Sequence, residues 1–219
     1  MTTEKDKIRA LAESYLQQGD PTGWFEQVYR NAAGDINQVI WADLEANPSL
    51  VEWLAQNAPN GKRAIVVGCG LGDDVAYLAS QGFDVTGFDI SATAVAMCRK
   101  RYPEIGNRFQ VADLFSSPPD WRQRFDLVFE CNTIQALSGS WRVKALNAIA
   151  ELAAPAGVVL VSCRSRNAGE KEDAFPLPLD HAELAGFERA GLMQLSCDCY
   201  DDEQQPPVPH FFASFQRPA

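Results

Sequence analysis

Along the chain, short continuous apolar runs alternate with longer stretches in which apolar residues return every third or fourth position. The short runs cover residues 64–67, 83–89, 109–113, 125–132 and 158–163 and are rich in β-branched and aromatic side chains, the pattern of buried strands. Helical spacing predicts a helix over 1–18 with Ile8, Leu11, Ala12, Tyr15 and Leu16 on one stripe. It predicts another after Thr22, carrying Trp24, Phe25, Val28 and Tyr29, and a third opened by Asn47-Pro48, carrying Leu50, Val51, Trp53 and Leu54. Further helices are expected over 75–80, over 92–101 behind a Ser91 cap, from Ser140 through Leu152, and from an Asp180/Glu183 capping box to Gly191. Two last strands, 192–200 and 211–216, flank an acidic, proline-rich loop expected to be exposed and no ligand site by itself. The loop from Arg164 to Asp180 reads as a mobile rim. Strands alternating with helices imply an α/β fold built on a mostly parallel sheet.

The chemistry concentrates where the first run ends. Gly68-Cys69-Gly70-Leu71-Gly72-Asp73-Asp74 follows the strand and opens a helix, so three glycines let the backbone turn sharply and approach a ligand closely. The next strand ends in Asp89, 17 positions after Gly72, where an acid at a strand tip accepts ribose hydroxyls. The third strand ends in Asp113, readable as a turn former in Asp-Leu-Phe-Ser-Ser-Pro-Pro. Glu130 and Asn132 end the fourth strand, where a buried structural role is as good a reading as a chemical one. Arg164 tips the fifth and faces the same edge, either solvated or steering an anionic acceptor. Trp53 reads as glue between a cap and the core, whereas Trp24 and Trp41 suit either glue or the aromatic wall of a pocket for a cation or a flat ring.

Bulk properties narrow the classes. With 219 residues the chain reads as one domain, a helical cap over 1–60 and a core over 61–219. Its formal charge of −10 argues against nucleic acid, and no apolar run is long enough for a membrane. The N-terminus lacks a signal-peptide pattern, so the cytoplasm is expected. Six cysteines without a CxxC and two histidines make a zinc site improbable, and buried free thiols explain most of them. No metal is expected. Cys197 and Cys199 share one face of a strand.

GCGLGDD, VTGFDIS, the strand-tip Asp113 and FDLV, in that order, resemble the motifs of class I S-adenosylmethionine-dependent methyltransferases. The resemblance covers residues 60–216. It implies a Rossmann-like three-layer sandwich, with a seven-stranded mostly parallel sheet, an antiparallel strand inserted by the terminal hairpin and an N-terminal helical cap. It also implies S-adenosylmethionine as cofactor. Gly68, Cys69, Gly70, Gly72, Asp73, Asp89, Ile90 and Glu130 would line the cofactor site, Asp113 and Leu114 would take adenine, and Glu130 and Arg164 would stand nearest the chemistry. Many members carry an acid where this chain has Val66, so carbonyls near Gly68, Asp73 or Asp74, or the cap must hold the methionine amino group. Trp24, Tyr29, Trp41 and Pro48 are similar to the cap of the thiopurine methyltransferase-like branch, which includes thiol and halide methyltransferases and closes tryptophans over the cofactor.

The expected activity is methyl transfer to a small molecule, a thiol or similar nucleophile, by a monomer or homodimer. A thiol of pKa about 8.5 is partly ionised at neutral pH and makes a dedicated base optional. An O- or N-acceptor would require a general base. A nicotinamide-dependent oxidoreductase shares the fold, but the last glycine of GxGxxG is replaced by Asp73. A non-catalytic cofactor-binding protein is the remaining alternative.

Overall fold

The computed structural model describes residues 4–59, 61–170 and 175–219. The predicted apolar runs become strands β1 (Arg63–Val67), β2 (Asp84–Asp89), β3 (Phe109–Val111), β4 (Phe125–Cys131), β5 (Ala153–Arg164), β6 (Met193–Asp201) and β7 (Pro209–Gln216). Among the described residues they form one seven-stranded sheet in the order β3-β2-β1-β4-β5-β7-β6. The first five are parallel, and β7 runs antiparallel between β5 and β6. This is the expected fold.

Helices α1 (Glu4–Gln17), α2 (Gly23–Asn31), α3 (Pro48–Gln56), α4 (Asp73–Ser80), α5 (Ala92–Arg101), α6 (Gly139–Leu152), α7 (His181–Leu184) and α8 (Gly186–Arg189) complete the chain. Alternation along β1 divides the core. Ile65 and Val67 face Leu146 and Ile149 of α6, Leu184 of α7 and Phe187 of α8. Ala64 and Val66 face Leu50 of α3, Val75 and Leu78 of α4 and Val95 of α5. Each fully buried Leu, Ile or Phe contributes roughly 1.5–3 kcal/mol, so both faces of the sheet are firmly held. Because Leu50 is wholly buried in this second cluster, α3 belongs to a core layer. The cap proper ends before it, earlier than the expected boundary at 60, which itself lies outside the described residues.

Local signals set most helix starts. Ser91 Oγ accepts the Ala94 amide at 2.9 Å, and the Asn47 side chain accepts those of Ser49 and Leu50 at 3.0 and 3.2 Å. The Asp180–Glu183 capping box forms as expected, although its helix breaks into α7 and α8 at Ala185. Thr22 makes no side-chain cap. Asp20 does that work, Oδ1 accepting the amides of Thr22 and Gly23 at 3.0 and 2.8 Å. Leu16 turns outward from the α1 stripe and is 41% exposed. β5 starts at Ala153, well before the expected 158, because Arg217 hydrogen bonds to Ala156 and Gly157 keep that segment against the sheet.

The cap is clamped rather than loosely laid on. Ile8, Trp24 and Val28 form a small apolar cluster with Leu11, Ala12 and Tyr15. Glu26 of α2 then accepts Ser91 Oγ at 2.6 Å, Thr93 Oγ1 at 2.7 Å and the Thr93 amide at 3.1 Å, docking α2 on the start of α5. The loop after β5 is likewise tied down, by the Ser165–Leu179 bridge and by Arg166 pairing with Asp180 and Glu183 at 2.8 and 2.6 Å. Residues 171–174 of that loop lie outside the described residues.

Candidate functional site

The glycine turn sits at the carboxyl edge of β1. Gly68, Gly70 and Gly72 have φ of 58°, 54° and 88°, a region that only glycine enters without strain. A Cβ on Gly68 would stand 2.4 Å from Thr133 Oγ1. Gly70 lies beneath the Tyr29 hydroxyl, which a Cβ would meet at 3.2 Å. Gly68, Cys69, Gly70 and Leu71 line the floor of a cavity of about 1440 Å³. Gly72 does not. Its missing side chain makes room for the Phe109 ring and Cys98, a packing reason for glycine beside the expected one.

Asp89 lies at the tip of β2, 6% exposed, and lines the same cavity. Oδ1 accepts the Ser91 amide at 2.8 Å and Oδ2 the Gly70 amide at 3.1 Å, which fixes both oxygens yet leaves each a second lone pair. Burial outweighs these bonds and pushes its pKa up to about 6. Asp73 is committed elsewhere: Arg101 holds it bidentately at 2.8 and 2.9 Å and the Tyr102 hydroxyl at 2.7 Å. Two acids remain for a cationic group. Asp74 is buried and takes the Asn47 amide at 2.8 Å, and burial, with Asp73 and Asp43 nearby, raises it to about 6. Asp43 from the cap segment is half-buried, and its pKa is raised first by burial and then by Glu45 and Asp73. A cation between them would relieve that repulsion.

The cap supplies one wall. Trp24 stacks on Phe25 at 3.9 Å and meets Trp41 and Phe175 edge-on at 6.0 and 5.7 Å, and all four line the cavity. Trp41 Nε1 donates to Tyr29 Oη at 3.0 Å, and Trp24 Nε1 to the Pro21 carbonyl at 3.1 Å. The two readings of these tryptophans therefore coexist, since each packs the cap and faces the space. Trp53 packs against the core cluster as expected, and also reaches the cavity rim.

The opposite wall holds Ile90, Asp113 and Leu114. Asp113 does what the turn reading asks, accepting the Phe115 amide at 2.9 Å and Ser116 Oγ at 3.1 Å, while still bordering the cavity. Glu130 is displaced from its expected place. It is wholly buried on the α6 side of the sheet and absent from the lining, with Oε1 accepting the Thr133 and Ile134 amides at 2.6 and 2.9 Å. Its Oε2 has no hydrogen-bond partner among the described residues, and burial raises its pKa to about 7. It shapes the turn after β4. Arg164 does line the cavity, half-buried, its amide pinned by Gln135 Oε1 at 2.6 Å. Its guanidinium makes no hydrogen bond to a described residue, and burial lowers its pKa despite Asp202 nearby.

The same cavity has further lining residues that sequence reasoning passed over. Asn47, Cys131, Ser162 and His210 line it, and Asn47 Nδ2 reaches Ser162 Oγ at 3.4 Å. The loop after β6 is largely exposed, as expected, yet Asp202, Glu203 and Gln204, with Asp201 at the end of β6, also line the cavity. Asp202 folds that loop inward by accepting the Gln204 and Val208 amides at 3.0 and 2.9 Å. No group of His, Cys, Asp and Glu suited to a metal occurs among the described residues. Cys69, Cys98 and Cys163 are buried free thiols.

Comparison with known proteins gives the site its context. Residues 64–157 match the model of a methyltransferase domain. The probable thiol methyltransferase 2 of Arabidopsis thaliana is 42% identical over 76 residues, 33% of this chain and 32% of that protein. The ubiquinone biosynthesis O-methyltransferase of Aromatoleum aromaticum is 29% identical over 126 residues, 56% of this chain and 53% of its own. The chain thus spans about a third to a half of the length of these relatives. The 1,6-didemethyltoxoflavin-N1-methyltransferase of Burkholderia thailandensis, solved with S-adenosylhomocysteine, superposes with a TM-score of 0.71 at 16% identity, over 99% of this chain and 92% of that one. Residues 64–157 thus match a methyltransferase domain, and the sheet order and the superposition agree that the chain has the fold of the solved methyltransferases.

Proposed function

We propose that the protein transfers the methyl group of S-adenosylmethionine to a small thiol or related soft nucleophile. The observation that carries the reading is the continuity of the cavity. The glycine turn, Asp89, the aromatic side chains of the cap and the strand-end residues Cys131 and Asn132 all line one space of about 1440 Å³. The residues fit the cofactor: a glycine floor, a strand-tip carboxylate with free lone pairs for the ribose, Asp113 and Leu114 beside it for adenine, and Asp43 and Asp74 for the methionine ammonium. When bound, the cofactor supplies an electrophilic methyl on a sulfonium.

The chain's own residues orient and exclude. Asp89, held in place by the Gly70 amide, fixes one end of the ligand, the tryptophans of the cap wall off water, and the rest of the cavity holds the acceptor in line. The 42% identical thiol methyltransferase supports a sulfur acceptor, while the O-methyltransferase relative keeps a phenol or other hydroxyl in the test. The experiment is a panel of thiols, halides, phenols, carboxylates and amines read by S-adenosylhomocysteine release. A thiol should give the highest kcat/KM. A phenol or amine in that place would refute the sulfur assignment, and binding without turnover of any acceptor would leave a non-catalytic protein.

A further inference from the structure

The cavity is strongly acidic: eleven carboxylate side chains line it against one guanidinium, that of Arg164. Such a field disfavours entry of a thiolate and favours the neutral thiol, which then has to lose its proton inside. One described side chain there is arranged to take it.

His210 opens β7 and pairs in register with Arg164 on β5, so it stands at the same carboxyl edge as the glycine turn. Its side chain is 14% exposed and lines the cavity. Nδ1 lies 2.9 Å from the Val208 carbonyl, and a carbonyl only accepts, so the proton of the neutral ring sits on Nδ1. Nε2 is left with the lone pair. The ring stacks on Tyr200 at 5.5 Å and 22°, which fixes its plane. Asp202 Oδ2 is 3.9 Å from Nδ1, and Asp43 reaches across from the cap, so an imidazolium formed here would face two carboxylates. A base with a fixed tautomer, a fixed plane and counter-charges behind it is the arrangement general-base catalysis asks for.

We propose that His210 is the general base of methyl transfer, its Nε2 removing the proton of the bound acceptor. The inference rests on the thiol reading above. The acceptor S–H bond breaks as Nε2 takes the proton, the sulfur lone pair forms the S–CH₃ bond, and the S⁺–CH₃ bond of the cofactor breaks, its electron pair neutralising the sulfonium. The proton then leaves to solvent. The charged side chains that share the cavity wall with the ring include Asp202 on the β6–β7 loop, Asp198 on β6, Arg164 on β5 and Asp43 from the cap, with the Tyr200 ring stacked on it.

The test compares wild type and His210→Gln on thiols spanning aqueous pKa values from about 5 to about 10. A base matters only where the thiol is not already ionised. The variant should keep rates within about threefold on the most acidic thiols and lose roughly 10²-fold or more on the least acidic, the usual reach of a general base. A uniform loss across the panel, or none, overturns the role while leaving the thiol reading intact. A wild type that binds S-adenosylhomocysteine but methylates no thiol overturns both. Nitrogen NMR of the wild type gives an activity-free check, since only His181 and His210 contribute and His181→Gln assigns them. Neutral His210 should carry its proton on Nδ1, and a proton on Nε2 refutes the proposal.

Discussion

Glu26 accepts the hydroxyl proton of Ser91 at 2.6 Å, and the amide of that same Ser91 holds Asp89 Oδ1 at 2.8 Å. The cap and the strand-tip acid of the site are therefore linked through one residue. Burial opposes ionisation of Glu26, but the bonds from Ser91 and Thr93 together with Arg30 prevail and lower its pKa. A depressed carboxylate stabilises the fold above its unfolded pKa and loses that contribution as pH falls through the folded value. Glu26→Gln should loosen the clasp and weaken S-adenosylhomocysteine binding by about 1 kcal/mol, more at pH 7 than at pH 4. Calorimetry at the two pH values reads it, and an equal affinity in variant and wild type at pH 7 would uncouple cap from site.

Asp74 runs the opposite way. Its pKa is raised to about 6, so the folded state binds its proton more tightly than the unfolded chain does. Its stabilising contribution is complete below about pH 4 and is lost as pH rises through 6. Asp74→Asn keeps an acceptor for the Asn47 amide and removes the buried charge. The variant should gain roughly 1–3 kcal/mol more stability relative to wild type at pH 8 than at pH 5, by chemical denaturation. If Asp74 also holds the methionine ammonium, the gain comes with weaker cofactor binding. A pH-independent difference would contradict the buried charge.

Glu130 is predicted to be dispensable for turnover. Glu130→Gln retains the oxygen that accepts the Thr133 and Ile134 amides, and the residue does not line the cavity. Turnover should stay within about threefold of wild type at neutral pH. A loss of 100-fold in a folded variant would restore this residue as the base.

Trp24 and Trp41 are predicted to report occupancy. Both face the cavity, so S-adenosylhomocysteine should alter tryptophan fluorescence, and Trp41→Ala should remove part of the change while raising the dissociation constant about tenfold. An unresponsive wild type would mean that the cap does not close on the cofactor.

What the sequence reveals and what it hides divide along the range of the interactions. Ser91, Asn47-Pro48 and the Asp180/Glu183 pair act within four residues, and each was legible. The glycine turn and Asp89 were legible too, because strand, turn and strand tip are fixed by one βαβ unit. The packing reason for Gly72 was not legible, because a glycine demanded by a neighbouring Phe109 ring is spelled like one demanded by a ligand. The burial of Glu130 and the reach of the loop from Asp201 to the cavity wall were hidden for a related reason, although that loop is largely exposed as expected. Which face a strand-end residue takes, and whether an acidic loop folds in or out, depend on partners dozens of residues away. His210 gave no local signal, since its place at the site comes from pairing β7 against β5.

The central claim is that the cavity floored by Gly68 and Gly70 and anchored by Asp89 takes S-adenosylmethionine. Titration calorimetry with S-adenosylhomocysteine and with NAD, on wild type and on Asp89→Ala, tests it most directly. S-adenosylhomocysteine should bind wild type at one site per chain and NAD should not, and Asp89→Ala should lose about 2–4 kcal/mol as two charge-assisted hydrogen bonds vanish. Binding of NAD in preference to S-adenosylhomocysteine, or an unchanged affinity in a folded Asp89→Ala, would contradict the account.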